Sequence, residues 1–340
     1  MIATEPEICV YGAGSVGCYI GGRLQATGSR VHFIGRARQR DALLAHGIRC
    51  SDLDGAAFRV EPQQLRYSMD PAAVGSADIV LLTVKSADTD VAGQELASRL
   101  KPGAIVVSLQ NGLRNADQLR RWLAGHPVLA GMVPFNVLAR GDGQFHHGSG
   151  GQLAIEDQPA TAALTAVFAR AGLPLAVHAD IRAVQWSKLL LNLNNAINAL
   201  SGQTLREELS QRDFRRCLAA AQAEALALLA AAGIPLAQLT KVRPQWLPSL
   251  LRLPDFLFRR LARQMVSIDP LARSSTWEDL EAGRHTEVDY INGEVVALAA
   301  TLGRQAPVNA RLVQLIRAAE AGGRRDWQAA ELYRAVTAAR

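Results

Sequence analysis

Three short segments, far apart in this 340-residue chain, carry residue types that could do chemistry together. Gly12-Ala13-Gly14-Ser15-Val16-Gly17 has the spacing of a loop that cradles a pyrophosphate. Trp186-Ser187-Lys188-Leu189-Leu190-Leu191-Asn192 supplies an amine and an amide. Arg284-His285-Thr286-Glu287-Val288-Asp289-Tyr290-Ile291-Asn292-Gly293 supplies carboxylates, Glu287 among them. A nucleotide cradle, an amine and a carboxylate together suit hydride delivery to a carbonyl carbon with proton delivery to its oxygen.

Lysine is scarce, which sharpens the reading of Lys188. Only Lys85, Lys101, Lys188 and Lys241 occur among 37 basic residues. Arginine carries the generic positive charge, and a tunable amine is reserved for few places, because burial moves lysine more readily than arginine. On a helix Lys188, Asn192 and Asn195 share one face. Asn192, Asn194, Asn195 and Asn198 crowd one otherwise apolar stretch. Asparagine forms helices poorly and is costly to bury unpaired. One reading is a lysine proton donor beside amides that bind substrate oxygens; the other is a buried polar network. Glu287 also has two readings. It either holds Lys188 protonated and oriented, or it joins Asp289 in the first turn of a helix capped by Thr286. Ser275 and Asp279, one turn apart, are substrate ligands or a routine cap and acid.

The elements that must position these groups follow from the hydrophobic pattern. Ile8 to Tyr11 reads as a strand running into the glycine loop, and Ser15 to Ala26 as the helix after it. Val31 to Ile34, Asp78 to Val84 and Ala104 to Leu109 read as further buried strands. This alternation predicts a parallel sheet with helices on both faces, whose ligands bind at the carboxyl ends of the strands. Lys85 and Gln110-Asn111-Gly112 fall at two such ends. Strand, G-x-G-x-x-G and helix in that order make a dinucleotide fingerprint. The second strand ends in Ile34-Gly35-Arg36, where NAD-binding chains place an acid, so Arg36 is a partner for a 2′-phosphate and NADPH is the expected cofactor. Arg38 and Arg40 read as a solvated helix face, and Gly21-Gly22 as a point of close packing.

From about Asp180 the strands give way to Ala/Leu-rich periodic segments. The expected helices are Ile181 to Leu200, Asp213 to Ala232, Phe256 to Val266, Pro270 to Glu281, Glu287 to Leu302 and Val308 to Glu320. Pro244, Pro248 and Pro254 make Val242 to Asp255 a loop or broken helices. The fold class is therefore α/β: an N-terminal Rossmann-like dinucleotide-binding domain over 1–179, followed by an all-helical C-terminal domain over 180–340.

Bulk properties narrow the partners. Hydrophobic residues at 49% with 20% charged suit a soluble globular protein. The formal charge of +6 is spread without a dense basic tract, and aromatics at 5% give no stacking platform, so no nucleic-acid role is expected. Cys9, Cys18, Cys50 and Cys217 lack metal-ligand spacing and read as buried free thiols, which fits a reducing compartment. No secretory leader is visible, and the apolar run from Leu218 to Ala232 is too short and polar for a bilayer. A cytoplasmic location with no membrane partner and no metal is the expectation.

In these motifs the chain resembles the ketopantoate reductase family (2-dehydropantoate 2-reductases). The resemblance runs from Gly12 to about Asn309. It rests on the glycine loop, Val84-Lys85, Gln110-Asn111-Gly112, Trp186-Ser187-Lys188-Leu189 with Asn192, and the segment from Arg284 to Gly293. It implies reduction of 2-ketopantoate to (R)-pantoate with NADPH, in the route to pantothenate and coenzyme A. It implies Lys188 as general acid, supported by Glu287. It implies Lys85 and Asn111 beside cofactor or substrate, and Asn192 and Ser275 on the substrate's hydroxyl and carboxylate. Some members carry Asn eight residues after the lysine, where this chain has Ala196, so Asn195 or Asn198 would have to replace it. A subunit contact, and so a homodimer, is one use for the long Val242 to Val266 segment. Two other readings stand beside this one: a reductase of another 2-keto acid, and a non-catalytic NADPH-binding regulator.

Overall fold

The computed structural model describes residues 5–262 and 272–338. The chain divides into two compact units, Met1–Ile181 and Arg182–Arg340. The expected helices from Phe256 to Val266 and from Pro270 to Glu281 each lie partly outside the described residues.

The first unit is α/β. Its strands in chain order are β1 (Glu7–Tyr11), β2 (Arg30–Ile34), β3 (Ile48–Ser51), β4 (Ala57–Val60), β5 (Arg66–Ser68), β6 (Ile79–Leu82), β7 (Ile105–Ser108), β8 (Val128–Met132), β9 (Val137–Ala139), β10 (Gln144–His147), β11 (Ala154–Glu156) and β12 (Ala176–His178). Its α-helices are α1 (Ser15–Ala26), α2 (Ala37–His46), α3 (Thr89–Ala97), α4 (Asn115–Trp122) and α5 (Ala162–Arg170). The larger sheet has the order β12-β11-β8-β7-β6-β1-β2-β5. All its neighbours are parallel except β8 and β11. Its central strands are continuous apolar runs, as sheets covered on both faces require; all four residues of β6 are buried. Tyr11 pairs with both Ile34 and Leu82, and Leu82 with Ser108, so the carboxyl ends of four strands finish level.

A second, four-stranded sheet, β4-β3-β10-β9, was not expected from the pattern. Helix α1 lies between it and the larger sheet. Every residue from Gly17 to Leu24 is buried, so α1 has no solvent stripe over that length. A Cβ on Gly21 would stand 2.6 Å from Phe33 of one sheet, and on Gly22 2.6 Å from Ile48 of the other. The expected close packing is therefore two-sided.

The second unit is helical: α6 (Ile181–Asn192, its first residue lying in the other unit), α7 (Asn194–Ser201), α8 (Leu205–Ser210), α9 (Arg212–Ala231), α10 (Leu247–Leu251), α11 (Asp255–Ala262), α12 (Ser275–Glu281), α13 (Asn292–Thr301), α14 (Pro307–Glu320) and α15 (Ala329–Thr337). Two expectations are corrected here. The single helix from Ile181 to Leu200 is two, jointed at Leu193, whose ψ of −20° departs from the helical value. The expected helix from Glu287 starts only at Asn292; a 3₁₀ turn over Val288–Tyr290 comes first, and Ile291, at φ −118° and ψ −84°, separates them. The proline-rich stretch forms broken helices, with a 3₁₀ turn at Pro244–Trp246 before α10.

Helix α9 is the centre of this unit, and its Arg215 is the largest fully buried side chain. The guanidinium donates to the carbonyls of Leu209, Leu251 and Leu253, pairs with Asp255 at 2.7 Å, and stacks 4.2 Å over Phe258. It thereby satisfies the carbonyls that α8 and α10 leave open at their C-termini. Arg215→Met, which keeps the stem but removes the donors, is expected to lower stability by about 2–3 kcal/mol, since each orphaned buried group costs roughly 1–3 kcal/mol. Urea denaturation of the full chain measures this.

Candidate active site

In the first unit, the residues singled out from the sequence meet at the carboxyl edge of the larger sheet. Gly12 follows β1 with φ +100°, where a side chain is strained, and a Cβ there would stand 2.6 Å from the backbone nitrogen of Val84. Gly17 faces Thr83 and Val10 as closely, so α1 starts tight against β1 and the turn after β6. Gly14 differs: a Cβ there would meet nothing nearer than 4.0 Å. Gly14 is also the N-cap of α1, with no side chain capping and no acid in the first turn. Open space thus lies before a helix N-terminus whose N–H groups and dipole favour an anion. Ser15 and Val16 open that first turn, and Ala13, buried, is tied with Gly12 to the Ile34 carbonyl at 2.9 Å.

Those two bonds fix the loop to the end of β2, where Arg36 begins α2. The Arg36 side chain is 86% exposed, and its contact to Asp88, at 3.9 Å, is a loose surface pair. Its guanidinium is accessible, and Ile34-Gly35-Arg36 presents no carboxylate. Loop, helix N-terminus and arginine fit a dinucleotide with an extra phosphate.

Lys85 and Asn111 follow β6 and β7, and a buried network holds their backbones together. Ser86 Oγ donates to the Asn111 carbonyl at 2.6 Å. Asn115 Nδ2 donates to that carbonyl and to Ser86 Oγ. Gln110 Nε2 donates to Thr89 Oγ1 at 2.8 Å and reaches the Lys85 carbonyl at 3.5 Å. Thr89 Oγ1 lies 2.8 Å from the Ser86 carbonyl and 2.9 Å from Asn115 Oδ1. Ser86, Thr89 and Asn115 were not singled out by sequence reasoning. Their signal is weak, because serine, threonine and asparagine at the starts of helices normally read as caps.

In the second unit, Lys188, Asn192 and Asn195 all keep partial solvent access across the joint at Leu193, whereas Asn194 and Asn198 are buried. Lys188 sits in dense protein, and this desolvation lowers its pKa to about 8. Asn198, also expected on the substrate, has both the nitrogen and the oxygen of its side chain engaged by protein groups. It is fully buried, donates to Gln203 and Glu208, and accepts from the Ser274 amide at 2.8 Å. Ser274 Oγ donates to the Asn195 carbonyl at 3.1 Å, so Asn195, Asn198 and Ser275 are brought together by α7 and α12. Ser274, not Ser275, caps α12, and Asp279 pairs with Arg284 at 3.1 Å.

Glu287 is buried on the turn before α13, and α14 secures that turn at three places. Glu320 accepts from the Thr286 amide at 2.7 Å, Arg317 pairs with Asp289 at 2.7 Å, and Asn309 accepts from Asn292 at 3.1 Å. Thr286 Oγ1 accepts from the Val288 amide at 3.3 Å, at the start of the short turn and not of α13. All four cysteines are free and buried. Among the described residues, no His/Cys/Asp/Glu cluster could hold a metal ion, and no helix is long and apolar enough to cross a membrane.

The level strand ends, the glycine loop and the helical second unit define a Rossmann-type oxidoreductase. Residues 8–159 match the family model for ketopantoate reductase PanE/ApbA, and residues 180–320 match that family's C-terminal model. The chain belongs to the ketopantoate reductase family. It is 28% identical over 324 residues to a 2-dehydropantoate 2-reductase of Halobacterium salinarum, covering 93% of this chain and 100% of that one. The structure of a PanE/ApbA family ketopantoate reductase from Ralstonia eutropha is similar, with a TM-score of 0.78, 33% identity, and coverage of 93% and 99%. D-mandelate dehydrogenase, solved with NADH, shares the fold with a TM-score of 0.76 at 20% identity over 93% of this chain and 99% of its own.

The displaced lysine can be measured directly, because the chain has only Lys85, Lys101, Lys188 and Lys241. After reductive ¹³C-methylation, one lysine resonance should titrate near pH 8. That signal should be missing from Lys188→Met. A full set of resonances that all titrate in the ordinary lysine range of about 10.4 would contradict the assignment.

Proposed function

We propose that the protein reduces 2-ketopantoate to (R)-pantoate with NADPH, as a step towards pantothenate and coenzyme A, with Lys188 as general acid. Membership of the family supports the reaction type. The observation that carries the mechanism is Lys188, crowded by protein yet on a face it shares with Asn192 and Asn195.

The reduced nicotinamide, when bound, supplies the hydride. The chain's own residues do the rest. The α1 N-terminus, from Ala13 through Gly17, receives the pyrophosphate with Gly12 shaping the turn, and Arg36 pairs with the 2′-phosphate. Lys85 and Asn111 bind at the nicotinamide end. Asn192, Asn195 and Ser275 accept or donate hydrogen bonds to the substrate's hydroxyl and carboxylate. Lys188 gives a proton from Nζ to the ketone oxygen as that oxygen becomes basic. A carboxylate at Glu287 favours the charged ammonium and opposes the effect of desolvation. Below about pH 8 the Lys188 amine carries its proton and can donate it; above, it cannot.

Ala196 favours a second reading, in which another 2-keto acid is preferred. It is buried at the position where some family members carry an asparagine. The assembly proposed is a homodimer; the ketopantoate reductase of Staphylococcus aureus, which shares the fold, is dimeric. The location proposed is the cytoplasm.

The test follows NADPH absorbance with 2-ketopantoate, pyruvate and 2-oxoisovalerate, and repeats it with NADH. Preference for 2-ketopantoate with NADPH is expected, and turnover of only another keto acid would transfer support to the second reading. Lys188→Ala should lose about 10²–10⁴-fold in kcat/KM with NADPH affinity retained. In the wild type, kcat/KM for reduction should be level in mildly acidic buffer and fall as pH rises through about 8. Arg36→Ala should raise the KM for NADPH about 10- to 150-fold, the loss of one charge-assisted bond of roughly 1.5–3 kcal/mol, and leave that for NADH unchanged.

A further inference from the structure

Glu208, on α8, is fully buried. Its Oε2 accepts from Asn194 Nδ2 at 3.1 Å and from Asn198 Nδ2 at 2.9 Å. Its other oxygen, Oε1, and the side-chain oxygen of Asn194 are both buried acceptors with no donor. An ionised carboxylate here would leave two lone-pair oxygens unpaired in low dielectric, which is costly. An added proton changes this, and only the carboxyl can carry it: protonated, it gains one O–H donor. Asn194 already donates to one oxygen of the carboxyl. A return bond from the other closes an acid–amide pair.

We propose that Glu208 is a positioning residue held as the neutral acid, its Oε1 proton donated to Asn194 Oδ1. The pair joins α7 to α8. Asn198, held on Glu208 Oε2, then fixes the Ser274 amide, and Ser274 in turn caps α12 and bonds the Asn195 carbonyl. Glu208 so sets where Asn195 and Ser275 stand. The positioning half rests on the substrate-binding role proposed above for those two residues; the protonation half does not.

The electrostatic surroundings agree. Burial raises the pKa of Glu208, the two amides lower it, and burial prevails, to about 8. From α9, the thiol of Cys217 is itself pushed upwards by burial, Asp213 pairs with Arg216, and Arg215 is turned to backbone carbonyls and Asp255. From α7 come only the two uncharged amides. On α8 itself, Glu207 is bound to Thr204 and Arg206 is exposed. From the segment before α12, Arg273 donates to the Gly202 carbonyl.

The sign of the linkage follows. An unfolded glutamate ionises near about 4.3, so folding takes up a proton between there and the raised folded value. The stability from this group is fully present below the unfolded pKa and is lost as pH rises towards about 8. Glu208→Gln carries its donor hydrogens at every pH and can make the same bonds.

The experiment compares wild type, Glu208→Gln and Glu208→Leu as full chains. The Tm of Glu208→Gln relative to wild type should climb between pH 5 and pH 8, then level. Parallel melting profiles would overturn the neutral acid, and this arm needs no substrate. Peptide-resolved hydrogen exchange over 272–277 should rise at least tenfold in Glu208→Leu and stay at the wild-type rate in Glu208→Gln. The KM for the keto acid should rise about tenfold in Glu208→Leu with kcat within threefold, and Glu208→Gln should restore it. Unchanged exchange in Glu208→Leu would overturn the positioning role. Faster exchange with unchanged KM would instead count against Asn195 and Ser275 as substrate ligands. Should Glu208→Leu not fold, Asn198→Ala removes the same link, with the same expected and contrary results.

Discussion

Most of the first unit depends on one steric constraint: α1 is enclosed by two sheets and carries no side chain of its own at the points of closest approach. Gly17 meets the turn after β6, Gly21 meets Phe33 and Gly22 meets Ile48. These approaches fix the helix along its length, so its N-terminus cannot retreat from the carboxyl edge of the sheet. The dipole and free N–H groups of α1 are held at one place, beside the end of β2 and the turn after β6. At the end of β2, Ile34 and Gly35 lead to Arg36, on which the proposed preference for a 2′-phosphate rests.

In the second unit, desolvation acts on two groups of opposite charge type. Burial disfavours whichever form is ionised, so it lowers Lys188 and raises Glu208, each to about 8. The outcomes differ because the surroundings differ. Lys188 keeps partial solvent access on the face it shares with Asn192 and Asn195, whereas Glu208 is shut in with two amides. A group poised between two protonation states suits proton transfer where a substrate can reach it. The same shift, where nothing can reach, makes a fixed hydrogen-bond donor.

Much of this was legible in the residues. Strand, glycine loop and helix α1 were readable because each uses a local signal: an apolar run, three glycines at fixed spacing, and a change of period. The sheet of β3, β4, β9 and β10 was not readable. Its strands are three or four residues long, too short for a period of two to stand out, and they are interrupted by Arg49, Arg59 and two histidines. The indirect sign was the unbroken run from Val16 to Gly22 without a charged residue, since a helix apolar all round must be covered all round. The four asparagines were rightly marked as unusual, but sequence could not divide them. Asn192 and Asn195 keep to the open side while Asn194 and Asn198 turn to Glu208. Glu208 was not singled out, because Glu207 and Glu208 are alike as residues; only its depth distinguishes it.

The small sheet also bears on how the chain acquires its structure. β3 joins β10 through pairing that includes Ser51 and His146, 95 positions apart. Between them in sequence run the strands from β5 to β8, which belong to the other sheet. Pairings of such separation close late, because loop entropy is spent before the contact forms. During synthesis, therefore, α1 can settle early on β1 and β2 and under the β3–β4 hairpin, but the small sheet stays incomplete until β10 has left the ribosome. Over that interval the β3 edge is unpaired and Tyr19 of α1 lacks the cover of Phe135 and His147, a window in which a chaperone has something to hold.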